Sequence, residues 1–233
     1  MAFVWLFARV VPRVEEGRVR VGIPVALLWV WLTASNFVDA AGYRNYIEQW
    51  AFELRAYLAY QDAGERLTNE QLGRFNPAIP ELMHRILSIY KDVRPQAFRD
   101  GIQLTTQLPA SVAGEAVVSV DGGVLQVAGP GYVHSRHVCV DKTGCVVRLI
   151  ATVEAQGAAT LGIIVRSPTG VQRANENNPI PADGKPHVQT IAADVANGEQ
   201  VDPYVFCYTA NDRARIRSFR VVVVQRNPPP TPS

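Results

Sequence analysis

Three regimes of hydrophobicity follow one another along the chain. Residues 21–41 run almost without polar relief: the span holds no Lys or Arg, and its only charge is Asp39 near the far end. From Tyr43 to Gln61 apolar residues recur at Ile47, Trp50, Leu54 and Leu58, the period of an amphipathic helix. Beyond residue 115 the period falls to two, and short β-branched runs alternate with Gly, Pro, Asn and Asp, as strands and their turns do.

The first regime predicts a membrane span. A helix rises about 1.5 Å per residue, so about 20 apolar residues cover a hydrocarbon core of roughly 30 Å. Pro24 falls in the first turn, where its missing N–H costs little. Leu27, Leu28, Trp29, Trp31, Leu32 and Phe37 would face lipid, and Tyr43, Tyr46 and Trp50 follow where an interfacial aromatic belt is expected. Arg9, Arg13, Arg18 and Arg20 precede the span, whereas Arg44 and Arg55 follow it among Glu48 and Glu53. The basic side stays cytoplasmic, which sends the C-terminal bulk outward. A cleaved signal peptide would use the small residues of "VDAAG", but its leading segment would be long, would carry Glu15 and Glu16, and would lack a clean Ala-x-Ala. A buried helix of a soluble protein is the third reading of the same residues; the anchor is the one adopted. "MAFVWLFARVV" is too short to span before Pro12 and predicts a short helix at the cytoplasmic interface.

The second regime predicts a helical stalk over residues 42–108. Gly64 is placed to end its first helix. Thr68 and Gln71 have the spacing of a capping box, and Pro80 opens a further helix with Leu82, Ile86 and Ile89 on one face. His84 lies in that helix without a companion ligand, as a solvent-facing or packed histidine would. The stretch "NYIEQWAFELRAYLAYQDAGERLTNEQLGRFNPAIPELMHRILSIYKDVRPQAFRDG", behind a hydrophobic helix, resembles the tail of large bacterial polytopic membrane proteins, some of them glycosyltransferase-like. That resemblance, over residues 22–101, implies a segment outside the membrane after a final span. It carries over no catalytic role, because the multi-span catalytic body is absent. The expected location is therefore a bacterial inner membrane, with a single pass and the C-terminal domain periplasmic or extracellular.

The third regime predicts strands at 116–120, 124–128, 131–140, 145–154, 160–166, 187–193, 203–209 and 214–225. "SVDGGVL" reads as a hairpin turning at Asp121-Gly122-Gly123, and "VDKTGCV" as another. "RIRSFRVVVVQ" alternates and then becomes continuously β-branched, as a strand covered on both faces does. The pattern argues for an antiparallel sandwich of jelly-roll type. The order "YVHSR … VRLIATVEAQG … GIIVRSPTG … DGKPHVQTI … DPYVFCY … RIRSFRV", over residues 115–226, resembles the jelly rolls of carbohydrate-binding modules and galactose-binding-like domains. The expected fold class is thus α+β: an interfacial segment 1–20, a transmembrane helix 21–41, the stalk, the sandwich 115–226 and a Pro-rich tail 227–233, extended like polyproline.

Charge and cysteines narrow the functional classes. A formal net charge of +2, with no basic run interleaved with aromatics, gives no reason to expect nucleic acid. Cys139, Cys145 and Cys207 lack zinc-ligand spacing. Cys139 and Cys145 flank a turn, although facing cross-strand pairs seldom meet disulfide geometry, and Cys207 on another strand could meet either one. One disulfide with a buried third thiol, or three free buried cysteines, therefore fits.

Little in the sequence carries chemistry. His134 and His137 in "HSRH" point to opposite faces if they share a regular strand. No Gly-x-Ser-x-Gly elbow, phosphate loop or His-Glu-x-x-His occurs. Asp194, Asp202 and Asp212 are scattered without calcium-loop spacing. No cofactor is implied, and a non-enzyme is expected. Tyr132, Tyr204, Tyr208 and Phe219 all belong to strands, and Tyr204, Phe206 and Tyr208 alternate against Val205 and Cys207, so one such row fills the core, the favoured fate of all these aromatics. If the tyrosines and Tyr132 face solvent beside Arg213 or Arg215, they could hold a sugar or a partner by stacking and hydrogen bonding. Residues 167–186 read as a long irregular loop, a kind that is usually functional or disordered. Two functions follow as expectations. The first is an accessory subunit docked on a larger membrane complex, energy-transducing or photosynthetic, with lipid and other membrane subunits as partners. The alternative is a membrane-anchored carbohydrate-binding module.

Overall fold

The computed structural model describes residues 19–73, 84–85, 87–89 and 100–226, and within its long helix the side chains from residue 30 onward except 36–38, 41 and 45. Residues 1–50 and 51–233 form two compact units. Helix α1 (Val19–Asp62) supplies the described part of the first unit. Val30, Trp31, Leu32, Tyr43, Tyr46, Ile47 and Trp50 are all exposed there. Tyr43 and Tyr46 stack with ring centroids 6.5 Å apart. Among the described residues no helix is long and apolar enough to cross a membrane. Pro24, Leu27, Leu28, Trp29 and Phe37 lie outside the described side chains, and residues 1–18 and 227–233 lie outside the described residues altogether.

The second unit opens with the last turns of α1. Their end is a Schellman motif: Glu65 donates its backbone N–H to Tyr60 O and Gly64 donates to Gln61 O, both at 3.0 Å. Gly64 has φ +82°, which glycine adopts without a Cβ penalty. Thr68 and Gln71 then form a reciprocal capping box, with N–H donations of 2.7 and 3.2 Å, and start α2 (Asn69–Gly73). His84 and Ile89 are exposed in helical backbone, whereas Leu87 is buried. The apolar face expected through Ile89 therefore runs through Leu87; Pro80, Leu82 and Ile86 lie outside the described residues.

Two six-stranded antiparallel sheets follow. The first sheet holds β1 (Ile102–Thr105), β3 (Val117–Asp121), β4 (Val124–Ala128), β7 (Cys145–Gln156), β10 (His187–Val195) and β12 (Arg213–Gln225). The second holds β2 (Ser111–Gly114), β5 (Gly131–His134), β6 (His137–Val138), β8 (Ala159–Arg166), β9 (Gln172–Ile180) and β11 (Gln200–Cys207). Orders of β10-β7-β12-β4-β3 and β2-β5-β11-β8-β9, with successive strands mostly changing sheet, make a jelly-roll sandwich. Val133, Leu149, Val153, Leu161, Ile163, Val205, Ile216 and Phe219 form its core, all at 1% exposure or less.

Local chemistry explains the sharpest features. Gly122 and Gly123 have φ of +56° and +79° and join Asp121 to Val124, the two-residue turn that matches strand twist. β12 carries a bulge between Ile216 and Ser218. Before it Ala214 and Ile216 point inward; after it Phe219, Val221 and Val223 do. One extra residue thus reverses the parity and keeps Arg213 and Arg215 out of the core. Val222 and Val224 meet Leu54, Leu58, Leu72 and Ile150 on the outer side, so the β-branched run is buried on both faces.

Several expectations need correction. β1 falls inside the stretch assigned to the stalk and β2 lies between that stretch and residue 115, so the sandwich begins before residue 115. The strand expected at 131–140 is broken between His134 and His137. "VDKTGCV" makes a turn, with Gly144 donating to Asp141 O at 3.0 Å, but not a hairpin, because β6 and β7 belong to different sheets. Residues 167–186 are not an irregular loop: β9 occupies their middle and pairs with β8. Its Asn-rich sequence shows no apolar alternation because it is a solvent-lined edge.

Candidate functional site

The outer surfaces of the two sheets have different fates. The helical residues of the second unit cover the outer side of the first sheet where Ile150, Val222 and Val224 emerge. Arg55 donates to Gln225 O at 3.0 Å and Arg226 O at 2.7 Å, and Arg148 pairs with Glu65 while lying 4.6 Å over the Tyr60 ring. The outer surface of the second sheet instead gathers aromatic side chains.

Strand pairing sets that surface. On β11, Val201, Val205 and Cys207 face the core, so Asp202, Tyr204, Phe206 and Tyr208 share the other side. Tyr204 lies opposite His134, and Phe206 opposite Tyr132. Paired residues of antiparallel strands project to the same face, which brings five rings together. The ring centroids of Tyr132 are 5.8 Å from Tyr204, 6.2 Å from Phe206 and 5.4 Å from His134; Phe206 and Tyr208 meet edge-on at 4.7 Å. Tyr208 is 51% exposed and Tyr204 only 6%, so the row grades from an open ring to a buried one. Tyr204 donates its hydroxyl to Asn175 Oδ1 at 2.9 Å, and burial raises its pKa.

A charged cluster ends the row. Asp202 is 1% exposed and accepts from Arg136 Nε at 3.1 Å and Arg166 Nε at 3.0 Å. His134 Nδ1 lies 3.7 Å from the same carboxylate. His137 contacts Ser135 Oγ at 3.0 Å, and burial lowers its pKa against the raising influence of Asp202. The broken strand therefore leaves His134 beside the aspartate and His137 on Ser135 within reach of the aspartate's charge. Arg136 keeps 59% of its side chain exposed at the Asp202 end of the row. Among the described residues no group of three or more His, Cys, Asp or Glu is arranged to hold a metal.

Sequence reasoning selected Tyr132, Tyr204 and Tyr208, which the fold brings together, and Arg213 and Arg215, which it does not. The arginines stand on β12, in the opposite sheet, because the connection after β11 changes sheet. Asp202, Arg136, Arg166 and Asn175 were missed. Asp202 precedes Tyr204 by two residues, so the alternation that links Tyr204 to Tyr208 also reaches it. Cys139 and Cys145 are joined in a disulfide with Cα atoms 6.0 Å apart. Cys207 is a free, fully buried thiol whose pKa burial pushes up to about 11.

No protein-family model matches the chain, and no curated protein matches it. Solved structures overlap about half of it. The CBM29-2 module complexed with cellulohexaose is 13% identical, with a TM-score of 0.38, over 54% of this chain and 94% of that one. The CBM22-1 xylan-binding domain of Paenibacillus barcinonensis Xyn10C is 15% identical, with a TM-score of 0.37, over 49% and 85%. The bacteriophage CBA120 tailspike protein 4 enzymatically active domain is 10% identical, with a TM-score of 0.35, over 52% of this chain and 19% of its own. Overlaps at such identities and scores carry no argument about ligand or activity, which rests on the residues of this chain.

Proposed function

We propose that the sandwich is a carbohydrate-binding module whose sugar lies on the outer face of the second sheet. One observation supports this above the others: Tyr132, Phe206 and Tyr208 sit side by side on that face, and the Asp202 end of the same row carries the partly exposed guanidinium of Arg136. Aromatic faces stack on the C–H faces of sugar rings, and fixed polar groups orient the hydroxyls. Asp202 holds Arg136 and Arg166 in place rather than meeting ligand itself, since it is buried beneath them. In this reading the protein binds and does not turn over its ligand. Glycan-array screening of the full-length protein in detergent, followed by calorimetry, tests it. Tyr208→Ala and Tyr132→Ala should each weaken binding at least tenfold, about 1.4 kcal/mol, without lowering the melting temperature much. Binding untouched by both substitutions would remove the sugar from this face.

A second element of the reading concerns placement. Trp31, Tyr43, Tyr46, Ile47 and Trp50 leave a large apolar surface exposed on α1, a surface that needs lipid or protein against it. We infer from the apolar run of residues 21–41, which holds no Lys or Arg and Asp39 as its one charge, an anchor in a bacterial inner membrane with the sandwich on the outer side. The described residues by themselves include no helix long and apolar enough to cross. The accessory-subunit reading rests on the same surface. Resistance to alkaline carbonate tests the anchor, and native sizing in mild detergent separates a lone chain from a subunit of a larger assembly.

A further inference from the structure

The uncovered end of the first sheet carries a groove of about 340 Å³ with a different chemistry. Two rungs of paired residues form it. Ser119 on β3, Gln126 on β4, Arg215 on β12 and Glu154 on β7 make one; Val117, Ala128, Arg213 and Gln156 make the other. Paired residues share a face, and four strands spaced about 4.8 Å apart span roughly 14 Å. Ala128, the small residue beside Arg213, leaves the depression between the arginines and the edge strand.

Charge is unbalanced in this groove. Glu154, 6% exposed, is the single carboxylate lining it. The β12 bulge brings Arg217 to the same outward side as Arg215 and Arg213. Arg217 donates Nε to Glu154 at 2.5 Å, and Arg215 stands 3.4 Å from the other carboxylate oxygen. That carboxylate holds two guanidinium groups steady, and Arg213 has no acidic partner among the described residues. Gln126, Gln156 and Ser119 make no side-chain hydrogen bond there either. The groove therefore presents one unneutralised fork of donors, a second partly neutralised one, and three neutral groups able to donate and accept.

We propose that this groove binds an acidic saccharide of the uronate class, its carboxylate on Arg213 and Arg215 and its hydroxyls on Gln126, Gln156 and Ser119. A guanidinium fork matches a carboxylate bidentately, and the flanking amides and hydroxyl suit a ring bearing one carboxylate among several hydroxyl groups. A dense polyanion would leave those neutral groups unused. The site lies on the sheet opposite the aromatic row and does not depend on the neutral-sugar reading given above.

The test is affinity electrophoresis of the full-length protein in detergent against polygalacturonate, its methyl ester and dextran sulfate. Binding should appear with polygalacturonate, weaken as salt is raised, and vanish with the ester. Arg213→Gln and Arg215→Gln should each reduce it at least tenfold, while Tyr208→Ala leaves it within twofold. No binding to polygalacturonate, equal binding to the ester, or full binding by both arginine variants would overturn the proposal. Equal retention by dextran sulfate would reduce the groove to a general basic surface and overturn it too. Loss in Tyr208→Ala with the arginine variants unaffected would move the ligand to the aromatic face. Should an arginine variant fail to fold, the comparison of acid with ester on the unmodified protein still decides.

Discussion

Gly162 and Tyr204 stand directly opposite each other across β8 and β11, and the tyrosine ring fills the space a β-carbon at residue 162 would need. A glycine inside a strand ordinarily weakens it by offering nothing to pack. Here the neighbouring aromatic covers it, and the hydroxyl passes over β8 to reach Asn175 on β9. The pair fixes where the Tyr204 ring lies, and the Tyr132 ring packs edge-on against it.

Gly162→Ala should therefore do more than a surface substitution. The new methyl must displace the ring, break its hydrogen bond to Asn175 and disturb Tyr132, for a cost of about 1–3 kcal/mol typical of overpacking. Tyr204→Phe, which keeps the ring and loses one hydrogen bond, should cost about 1 kcal/mol. Urea denaturation ranks the two. An alanine variant as stable as the parent would mean the ring is not confined as described.

The ion pair between Arg148 and Glu65 couples β7 to the chain just after α1. Both side chains are largely removed from water, at 15% and 6% exposure, and Arg148 Nε and Glu65 Oε2 find no hydrogen-bond partner. Breaking such a pair strands a charge, so Glu65→Ala should cost about 3 kcal/mol. Replacing both partners with apolar residues of similar size removes the stranded charge. Glu65→Leu combined with Arg148→Met should therefore be more stable than Glu65→Ala alone, by thermal denaturation. The opposite order would mean that the pair is wet and weak.

How much of this was legible beforehand depends on whether the cause was local. The Thr68 and Gln71 cap, the Gly64 stop and the Gly122-Gly123 turn are each written within a few residues, and each forms. The run from Val221 to Val224 announced burial on both faces, because no residue in it could face water. β9 was invisible because its partner contacts are backbone hydrogen bonds and its side chains are largely polar. Tyr208 and Arg213 lie close in sequence yet on opposite sheets, a separation made by the sheet-changing connection rather than by either residue. The β12 bulge, which decides that Arg213 and Arg215 face outward, comes from fitting two apolar faces of opposite parity into one strand.

The thiols give an independent check. With Cys139 bound to Cys145 and Cys207 buried at 0% exposure with a pKa near 11, the native protein should show no reactive thiol at neutral pH, since the thiolate is the reactive form. Unfolding without reductant should expose one thiol per chain, and unfolding with reductant three. Loss of the short disulfide loop should cost roughly 2 kcal/mol on the chain-entropy model. One fast thiol in the native state would show Cys207 to be accessible; three would show the disulfide to be absent.

Acid should weaken the fold where Glu199 is held. Arg173 donates to both of its oxygens, at 2.6 and 2.8 Å, and the Ala196 N–H donates at 2.7 Å. The hydrogen bond from Arg173 is the largest cause holding the Glu199 pKa below its ordinary value, against the opposing effect of burial. A carboxyl group with a lower pKa folded than unfolded stabilises fully above the unfolded value, about 4.3. That contribution drains as the pH falls through the folded value, because the unfolded chain then binds the proton more readily. Glu199→Gln keeps the shape and removes the titration. At pH 7 it should be less stable by roughly 1.5 kcal/mol, the low end for a charged hydrogen bond because Arg173 is half exposed. As the pH is lowered below about 4 the parent should lose this advantage and the two urea midpoints should converge. A gap that stays constant from pH 7 to 3 would show that the charge on Glu199 contributes nothing to the fold.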